Sequence, residues 1–259
     1  MPAELKSTSQ GQTMVLAISN PEQRNALGPE IYAAGVEALS VAETQADVRS
    51  VVITGEGDNF CAGGNLQRLL DNRRQPPEVQ AQSLEALHSW IEAIRTFPKP
   101  IVAAVEGAAA GAGFSLAPAC VFIVAADNAV FVMAYSNVAL SPDGGGTWSL
   151  SRSLPRQLVS ELLLSGERIG AQRLHALGMV NRVATRGSAL ADALALCERL
   201  NAKAPNALAS IKELMNEAAD ATLTEQLAQE RNHFVTNLHH PNAGIGIEAF
   251  LSKQVPRYE

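Results

Sequence analysis

Two glycine-rich stretches of the chain have few reactive side chains, and what they offer to a ligand is backbone amides. Residues 109–116 (AAGAGFSL) lie between two apolar runs, and residues 55–66 (GEGDNFCAGGNL) follow a third. Small residues let a ligand approach the backbone, and a helix that begins there presents unpaired N–H groups to it. Two such sources of amide donors can bind one oxygen atom, of an anion or of a polarised carbonyl. The alternative is that both stretches are tight turns that allow close helix packing.

The familiar signatures of nucleotide binding, hydrolysis and metal binding are missing from the sequence. Neither glycine-rich stretch has the Lys-Ser/Thr pair of a phosphate loop, and no Gly-x-Ser-x-Gly or His-Glu-x-x-His pattern occurs. His239 and His240 form a pair, but no third ligand lies at helical spacing, so a solvated helix end is the simpler interpretation. The three cysteines stand at unrelated spacings, which predicts buried thiols and no disulfide framework: Cys61, Cys120 and Cys197.

The composition is typical of one large globular domain, because 47% of the 259 residues are hydrophobic. The net charge of −6 and the lack of a run of five basic residues argue against a nucleic-acid partner. No run of about 18 apolar residues is present, and the first residues lack the apolar segment of a signal peptide. We therefore expect a cytoplasmic protein with no membrane partner.

Strand-like and helical patterns alternate through the first two thirds of the chain, which is typical of an α/β fold. Apolar, β-branched runs predict strands at residues 13–19, 48–54, 101–105, 121–125 and 129–133. Apolar periodicity predicts helices at residues 29–44, 66–70 and 78–97, and a further helix that begins within residues 142–146. Residues 189–253 are helical in pattern, and their wide apolar faces are typical of an oligomer interface.

Four segments resemble the crotonase, or enoyl-CoA hydratase/isomerase, family in order and spacing. They are PEQRNAL (21–27), VVITGEGDNFCAGGNL (51–66), KPIVAAVEGAAAGAGFSLA (99–117) and LLLSGERIGAQRLHALGMVNRV (162–183). The resemblance covers essentially the whole chain. It implies the α/β crotonase (ClpP-like) fold, in which repeated ββα units form a superhelix that is followed by a C-terminal helical region. We expect a core with the acyl-CoA site in residues 1–200 and a helical oligomerisation region in residues 201–259.

The resemblance also implies an acyl-CoA substrate whose thioester oxygen is bound by two backbone N–H groups. The matching positions are Gly64 and Ala112, and each well-placed donor stabilises a developing enolate by roughly 3 kcal/mol. Arg24 is placed near the CoA diphosphate, although it could equally be a solvated turn residue. Four further positions are implied to line the same channel: Ala26, Ala62, Asn65 and Leu66. CoA is part of the substrate, so we expect no separate cofactor and no metal.

The sequence departs from the family at the positions that decide the reaction. Typical hydratases carry two glutamates, where this chain has Ser115 and Tyr135, which we assign to substrate binding. Neither side chain can deprotonate water near neutral pH. Asp143 follows eight residues after Tyr135, where some family members that shift double bonds or rearrange rings keep their acting carboxylate. Its surroundings, PDGGGTW, are most similar to ring 1,2-epoxyphenylacetyl-CoA isomerases. Local sequence alone favours another role for Asp143, as the N-cap of a helix that starts at Gly144.

The hypothesis from the sequence is an acyl-CoA isomerase, in which Gly64 and Ala112 bind the thioester enolate and Asp143 moves a proton between carbons. One alternative is an enoyl-CoA hydratase that recruits other groups. Another is a catalytically weak acyl-CoA-binding or RNA-associated family member, and the acidic charge balance counts against RNA. The helical C-terminal region predicts a homotrimer or a dimer of trimers.

Overall fold

The computed structural model describes residues 3–258, and within this range it contains nine strands in two sheets. The strands are β1 (Glu4–Gln10), β2 (Thr13–Ser19), β3 (Ser50–Gly55), β4 (Ile101–Val105), β5 (Ala108–Ala110), β6 (Phe122–Ala126), β7 (Val130–Val132), β8 (Arg168–Gly170) and β9 (Arg182–Ala184). A six-stranded sheet has the order β1-β2-β3-β4-β6-β9, and a three-stranded sheet has the order β5-β7-β8. The predicted α/β class is confirmed.

The large sheet is parallel except at its first strand. β1 pairs with β2 in antiparallel fashion, and all the other neighbours in this sheet are parallel. Every residue of β4 is buried, as expected for a central strand that is covered on both faces. β1 was not predicted, because its sequence ELKSTSQ is mostly exposed and polar and the strand is held by its pairing with β2.

Eleven helices lie between residues 3 and 258. They are α1 (Pro29–Thr44), α2 (Leu66–Asn72), α3 (Pro77–Thr96), α4 (Ala112–Leu116), α5 (Gly146–Ser153), α6 (Arg156–Ser160), α7 (Ala171–Ala176), α8 (Ala189–Asn201), α9 (Pro205–Glu217), α10 (Leu223–Leu238) and α11 (Pro241–Leu251). α1 packs against α3, and α8 packs against β3 and β4. None of the helices within residues 3–258 is both long and apolar enough to cross a membrane.

The three C-terminal helices are tied to the core by a buried lysine. Lys212 of α9 is 8% exposed, and its Nζ donates hydrogen bonds to the backbone oxygens of Ile94, at 3.1 Å, and Phe97. These carbonyls lie at the C-terminal end of α3, where a helix leaves its last oxygens without partners. Burial lowers the pKa of Lys212 to about 8. The division into a core of residues 1–200 and an oligomerisation region of residues 201–259 stays a prediction.

Candidate active site

The two glycine-rich stretches come together because they follow neighbouring parallel strands. β3 pairs in parallel with β4, so the segments that follow both strands leave the sheet at one edge. They are then joined by a short parallel bridge between Cys61 and Ala109. The Cys61 N–H donates to the Ala108 oxygen at 3.0 Å, and the Ala110 N–H donates to the Cys61 oxygen at 2.9 Å.

Glycine is required where the two segments touch. Gly63 has a φ of +93°, and a Cβ atom on it would lie 2.8 Å from the Ala110 oxygen and 3.5 Å from the Ala112 nitrogen. A Cβ atom on Gly113 would lie 2.4 Å from the Cys61 oxygen. The distances of 2.8 Å and 2.4 Å are too short for a Cβ atom. Glycine at these two positions therefore allows the backbones of the two segments to lie side by side.

The amides of Gly64 and Ala112 are left without hydrogen-bond partners in this contact. The Leu27 N–H donates a hydrogen bond to the Gly63 oxygen at 2.7 Å, and the N–H of the next residue, Gly64, makes no such bond to the described backbone. Ala112 is the first residue of α4, where no preceding turn supplies an acceptor. No oxygen among residues 3–258 accepts a hydrogen bond from either N–H group. Two amides without backbone partners therefore lie where the two segments touch, and we infer that they can bind one ligand oxygen.

A cavity of about 310 Å³ opens in front of these amides. Its walls are mostly apolar, and of the described residues that line it, Asp143 is the one acidic side chain. The lining comes from α2 and α3, from the two amide segments and from residues 134–143; it includes Ala62, Gly64, Leu66, Leu69, Gln80, Leu84, Ala112, Tyr135, Val138, Leu140 and Asp143. The structure thus brings Gly64, Ala112 and Asp143, the three predicted catalytic residues, to one cavity.

Asp143 is held by two residues of the site. Its Oδ1 accepts a hydrogen bond from the Tyr135 hydroxyl at 2.6 Å, and its backbone oxygen accepts one from Ser115 Oγ at 2.8 Å. Burial raises the pKa of the Asp143 carboxyl above its ordinary value, while the Tyr135 hydrogen bond and the charge of His88 oppose this rise. Burial, and next the negative charge of Asp143, raise the pKa of Tyr135. Tyr135 therefore keeps its proton near neutral pH and donates a hydrogen bond to the Asp143 carboxylate.

The structure does not support the interpretation of Asp143 as an N-cap. α5 begins at Gly146, two residues later than that interpretation requires, and its N-cap is Gly145 with no side-chain hydrogen bond. Asp143 contributes only its backbone oxygen to the turn, as the acceptor for the Gly146 N–H at 3.1 Å. The carboxylate instead faces Tyr135, because Ser115 holds the backbone oxygen of Asp143 and Tyr135 holds its Oδ1.

The other predicted binding residues are placed at different depths around the cavity. Ala62, Leu66 and Tyr135 line it, whereas Ser115 is fully buried behind it, with its hydroxyl directed at Asp143. Ser115 thus has a role in holding Asp143, and its contact with substrate stays a prediction.

Arg24, Ala26 and Asn65 lie outside the cavity wall. Arg24 is exposed in a left-handed turn with a φ of +51°, and its backbone oxygen accepts a hydrogen bond from the Ala62 N–H at 3.0 Å. Ala26 is buried beside this turn. Asn65 caps α2 by accepting a hydrogen bond from the Arg68 N–H at 3.0 Å. The assignment of these three residues to CoA binding stays a prediction.

Several residues that shape the site were not predicted. Asn25 adopts a φ of +60° and is 1% exposed, and its Nδ2 donates to the backbone oxygens of Glu56, at 2.9 Å, and Asn59, at 2.7 Å. Asn25 thus connects the turn at residues 20–27 to the segment that carries Gly64. Its place in the PEQRNAL motif was the sequence feature that could have indicated this role. Gln80 and Leu84 line the cavity from α3, which no local pattern could indicate because it depends on how α3 packs.

The cysteines and the paired histidines His239 and His240 do not line this cavity. All three cysteines are buried and free, as predicted, and burial raises the pKa of Cys61 to about 12, so its thiol is not a nucleophile near neutral pH. His240 Nδ1 accepts a hydrogen bond from the Asn242 N–H at 3.1 Å, at the start of α11. Residues 3–258 contain no cluster of three or more His, Cys, Asp or Glu side chains that could hold a metal ion.

Comparison with known proteins places these features in a family. Residues 8–259 match the model of the enoyl-CoA hydratase/isomerase family. The chain is 33% identical to a 1,2-epoxyphenylacetyl-CoA isomerase from Escherichia coli K12 over 246 residues, which cover 95% of this chain and 94% of that protein. It is 32% identical to a 2,3-dehydroadipyl-CoA hydratase from the same organism over 257 residues, which cover 99% of both.

A solved structure of an enoyl-CoA hydratase from Polaromonas sp. JS666 is 70% identical to this chain, with a TM-score of 0.98 and coverage of 99% of this chain and 100% of that one. The crotonase fold predicted from the sequence is thereby confirmed. The chain belongs to the enoyl-CoA hydratase/isomerase, or crotonase, family.

Proposed function

We propose that this protein is an acyl-CoA isomerase that shifts a double bond, or rearranges a ring, through a thioester enolate. The Gly64 and Ala112 N–H groups bind the thioester oxygen, and Asp143 accepts a proton from one carbon of the acyl group. The negative charge then lies on the oxygen, next to the two amide donors. The same carboxylic acid returns the proton to another carbon, so no atom is gained or lost. The reaction needs no resident cofactor, because CoA is part of the substrate.

The observation that carries this proposal is the single carboxylate in the cavity. Asp143 is the one acidic side chain that lines the cavity among residues 3–258, and it faces the same space as both free amides. Transfer of a proton between two carbons needs one group that acts first as a base and then as an acid. Addition of water is served better by two carboxylates, which position and deprotonate the water together. The positions of those two in typical family members hold Ser115 and Tyr135.

Enoyl-CoA hydration is the second candidate. It is favoured by the relatives, since both the 70% identical protein of known structure and one of the curated relatives are hydratases by name. The relative that is 33% identical is an isomerase by name, so the names support both reactions.

A panel of three CoA esters tests the proposal. Purified protein is incubated with crotonyl-CoA, a 3-enoyl-CoA and an epoxide-derived aromatic CoA ester, and the products are separated by chromatography. We expect turnover of the second or third ester and poor hydration of crotonyl-CoA. Hydration of crotonyl-CoA at rates usual for the family would establish the hydratase instead. Binding of all three esters without turnover would identify a non-catalytic acyl-CoA-binding protein.

We also propose that the protein is cytoplasmic and forms a homotrimer or a dimer of trimers, and the exposed apolar side chains of the C-terminal helices support assembly. α10 and α11 expose large apolar side chains, among them Phe234 at 68% and Phe250 at 84%. Apolar side chains this exposed, grouped on one region, are typical of a surface that another subunit covers. Light scattering at dilute concentration measures the assembly, and a fully active monomer would contradict it.

A further inference from the structure

Tyr135 stands between Asp143 and the segment that carries the Ala112 amide. A Cβ atom on Gly111, the residue before Ala112, would lie 3.5 Å from the Tyr135 hydroxyl oxygen. The ring therefore lies against the backbone of this segment. Its own backbone is fixed as well, because the Tyr135 carbonyl accepts hydrogen bonds from the Val138 and Leu140 N–H groups, both at 3.0 Å.

The hydroxyl of Tyr135 is committed to Asp143. It donates to Asp143 Oδ1 at 2.6 Å, a short distance that is typical of a hydrogen bond to a carboxylate. Such a bond restricts the rotation of the carboxylate about its side-chain torsions. The second carboxylate oxygen, Oδ2, has no bond from Tyr135, and Asp143 itself lines the cavity.

From this geometry we propose that Tyr135 is a positioning residue for the isomerase reaction, which orients the Asp143 carboxylate and fills with its ring the place where a hydratase holds its second carboxylate. The inference rests on the proposed function. Tyr135 acts through Asp143 and not on the acyl group. The hydrogen bond from the phenol stabilises the charged form of the carboxylate and so opposes the rise in the pKa of Asp143 that burial causes.

Three other elements bring titratable or charged groups near Asp143. His88 of α3 lowers the pKa of Asp143 when it is charged, and Asp143 in turn raises the pKa of Tyr32 in α1. Arg68 of α2 acts on Tyr32 and lowers its pKa. Burial still raises the pKa of Tyr32 to about 12, so Tyr32 does not titrate below pH 10. A His88→Gln background removes the charge that His88 can place near Asp143.

Tyr135→Phe removes the hydroxyl and keeps the ring. We expect kcat on the preferred CoA ester to fall roughly tenfold with little change in KM, since one charge-assisted hydrogen bond is lost and the cavity keeps its shape. The acid limb of the kcat profile should move to higher pH, because the bond that lowers the pKa of Asp143 is gone. Tyr258→Phe is a matched change in the C-terminal region, and it should leave kcat and the pH of the acid limb unchanged.

A double-mutant cycle with Asp143→Asn separates this inference from the proposed function. If Tyr135 acts through Asp143, Tyr135→Phe should have almost no further effect in the Asp143→Asn protein. Effects of the two changes that multiply would show that Tyr135 acts on the substrate directly, and would overturn the inference. An unchanged rate for Asp143→Asn alone would instead refute the proposed function.

A second substitution covers the case in which Tyr135→Phe does not fold. 3-Fluorotyrosine at position 135 keeps the ring and the contact but is a stronger donor, so the acid limb should move to lower pH. An acid limb at the wild-type pH in the 3-fluorotyrosine protein, or in a folded Tyr135→Phe protein, would overturn the inference, because a merely structural tyrosine would leave the ionisation of Asp143 unchanged.

Discussion

Replacing Asp143 with Asn should abolish most of the isomerase activity and leave the protein folded. Asn cannot accept and return a proton, and loss of general acid–base catalysis costs about 10²-fold or more in kcat. A 100-fold loss corresponds to about 2.7 kcal/mol of transition-state stabilisation. The amide oxygen of Asn can still accept the hydrogen bond that the Tyr135 hydroxyl donates to Oδ1. The cavity and both free amides are unchanged, so acyl-CoA binding should persist.

The stability of the same variant gives an independent check. Burial raises the pKa of Asp143 above its ordinary value of 3.8, so the folded protein favours the protonated carboxyl. The stability that Asp143 contributes is thus fully present below pH 3.8 and is lost as the pH rises through the pKa of the folded state. The Asn variant carries no such charge. We expect it to be at least as stable as the parent at pH 7, with an advantage that shrinks on acidification.

The assay combines turnover, acyl-CoA binding by calorimetry and thermal unfolding at several pH values. Asp47→Asn is a matched control, because Asp47 is exposed just before β3, at the opposite edge of the sheet from the site. Asp143→Ala is a poorer test, since it leaves the Tyr135 hydroxyl buried without an acceptor at a cost of about 1–3 kcal/mol. A folded Asp143→Asn protein that binds acyl-CoA and turns it over at the parental rate would refute the assignment of Asp143 as the base.

Three further predictions concern the amides, the pH profile and the C-terminal anchor. Gly64→Pro and Ala112→Pro each remove one N–H donor, so each should lower kcat by roughly 10²-fold, and parental rates in folded variants would refute the oxyanion assignment. The kcat of the wild-type protein should rise with pH along an acid limb that lies above the ordinary range of aspartate, and a limb at or below that range would contradict a buried base. Lys212 has its pKa lowered from 10.5 to about 8, so the unfolded chain binds more protons between these values and the free energy of unfolding should rise with pH there. The Lys212→Met protein should lack this rise in the free energy of unfolding. It should also be less stable than the wild type, because the Ile94 and Phe97 carbonyls lose their donor. The same pH dependence of unfolding in the variant and the wild type would disprove this role of Lys212.

The helices and strands that could be predicted are those whose own apolar pattern indicates which face is buried. The strand at residues 13–19 and the helix at residues 29–44 were predicted with the bounds that the structure has. β5 was missed because its sequence is AAA, and alanine carries no strand signal. It is a strand because it pairs with β7 and with Cys61, and such pairings are decided by the tertiary fold.

The candidate site could be predicted only as a set of positions. The resemblance pointed to Gly64, Ala112 and Asp143, which line one cavity. The contact between Tyr135 and Asp143 could not be read from their spacing of eight residues, because it requires residues 136–142 to fold back as a turn. The N-cap interpretation of Asp143 was wrong for the same reason, since the carboxylate is held by Tyr135 before the helix begins at Gly146.

The two departures from the family pattern meet at one residue. Ser115 and Tyr135 occupy the positions of the two glutamates in typical hydratases, and both donate hydrogen bonds to Asp143, one to its backbone oxygen and one to its carboxylate. Restoring the glutamates would therefore remove both supports of Asp143 and would crowd three carboxylates into a partly buried space, where they raise one another's pKa. Ser115, Tyr135 and Asp143 thus form one hydrogen-bonded unit, in which a change at either of the first two alters the support of the third. Under the proposed function, this arrangement moves a proton with one base, whereas water addition would need a second carboxylate that the cavity lining within residues 3–258 does not contain.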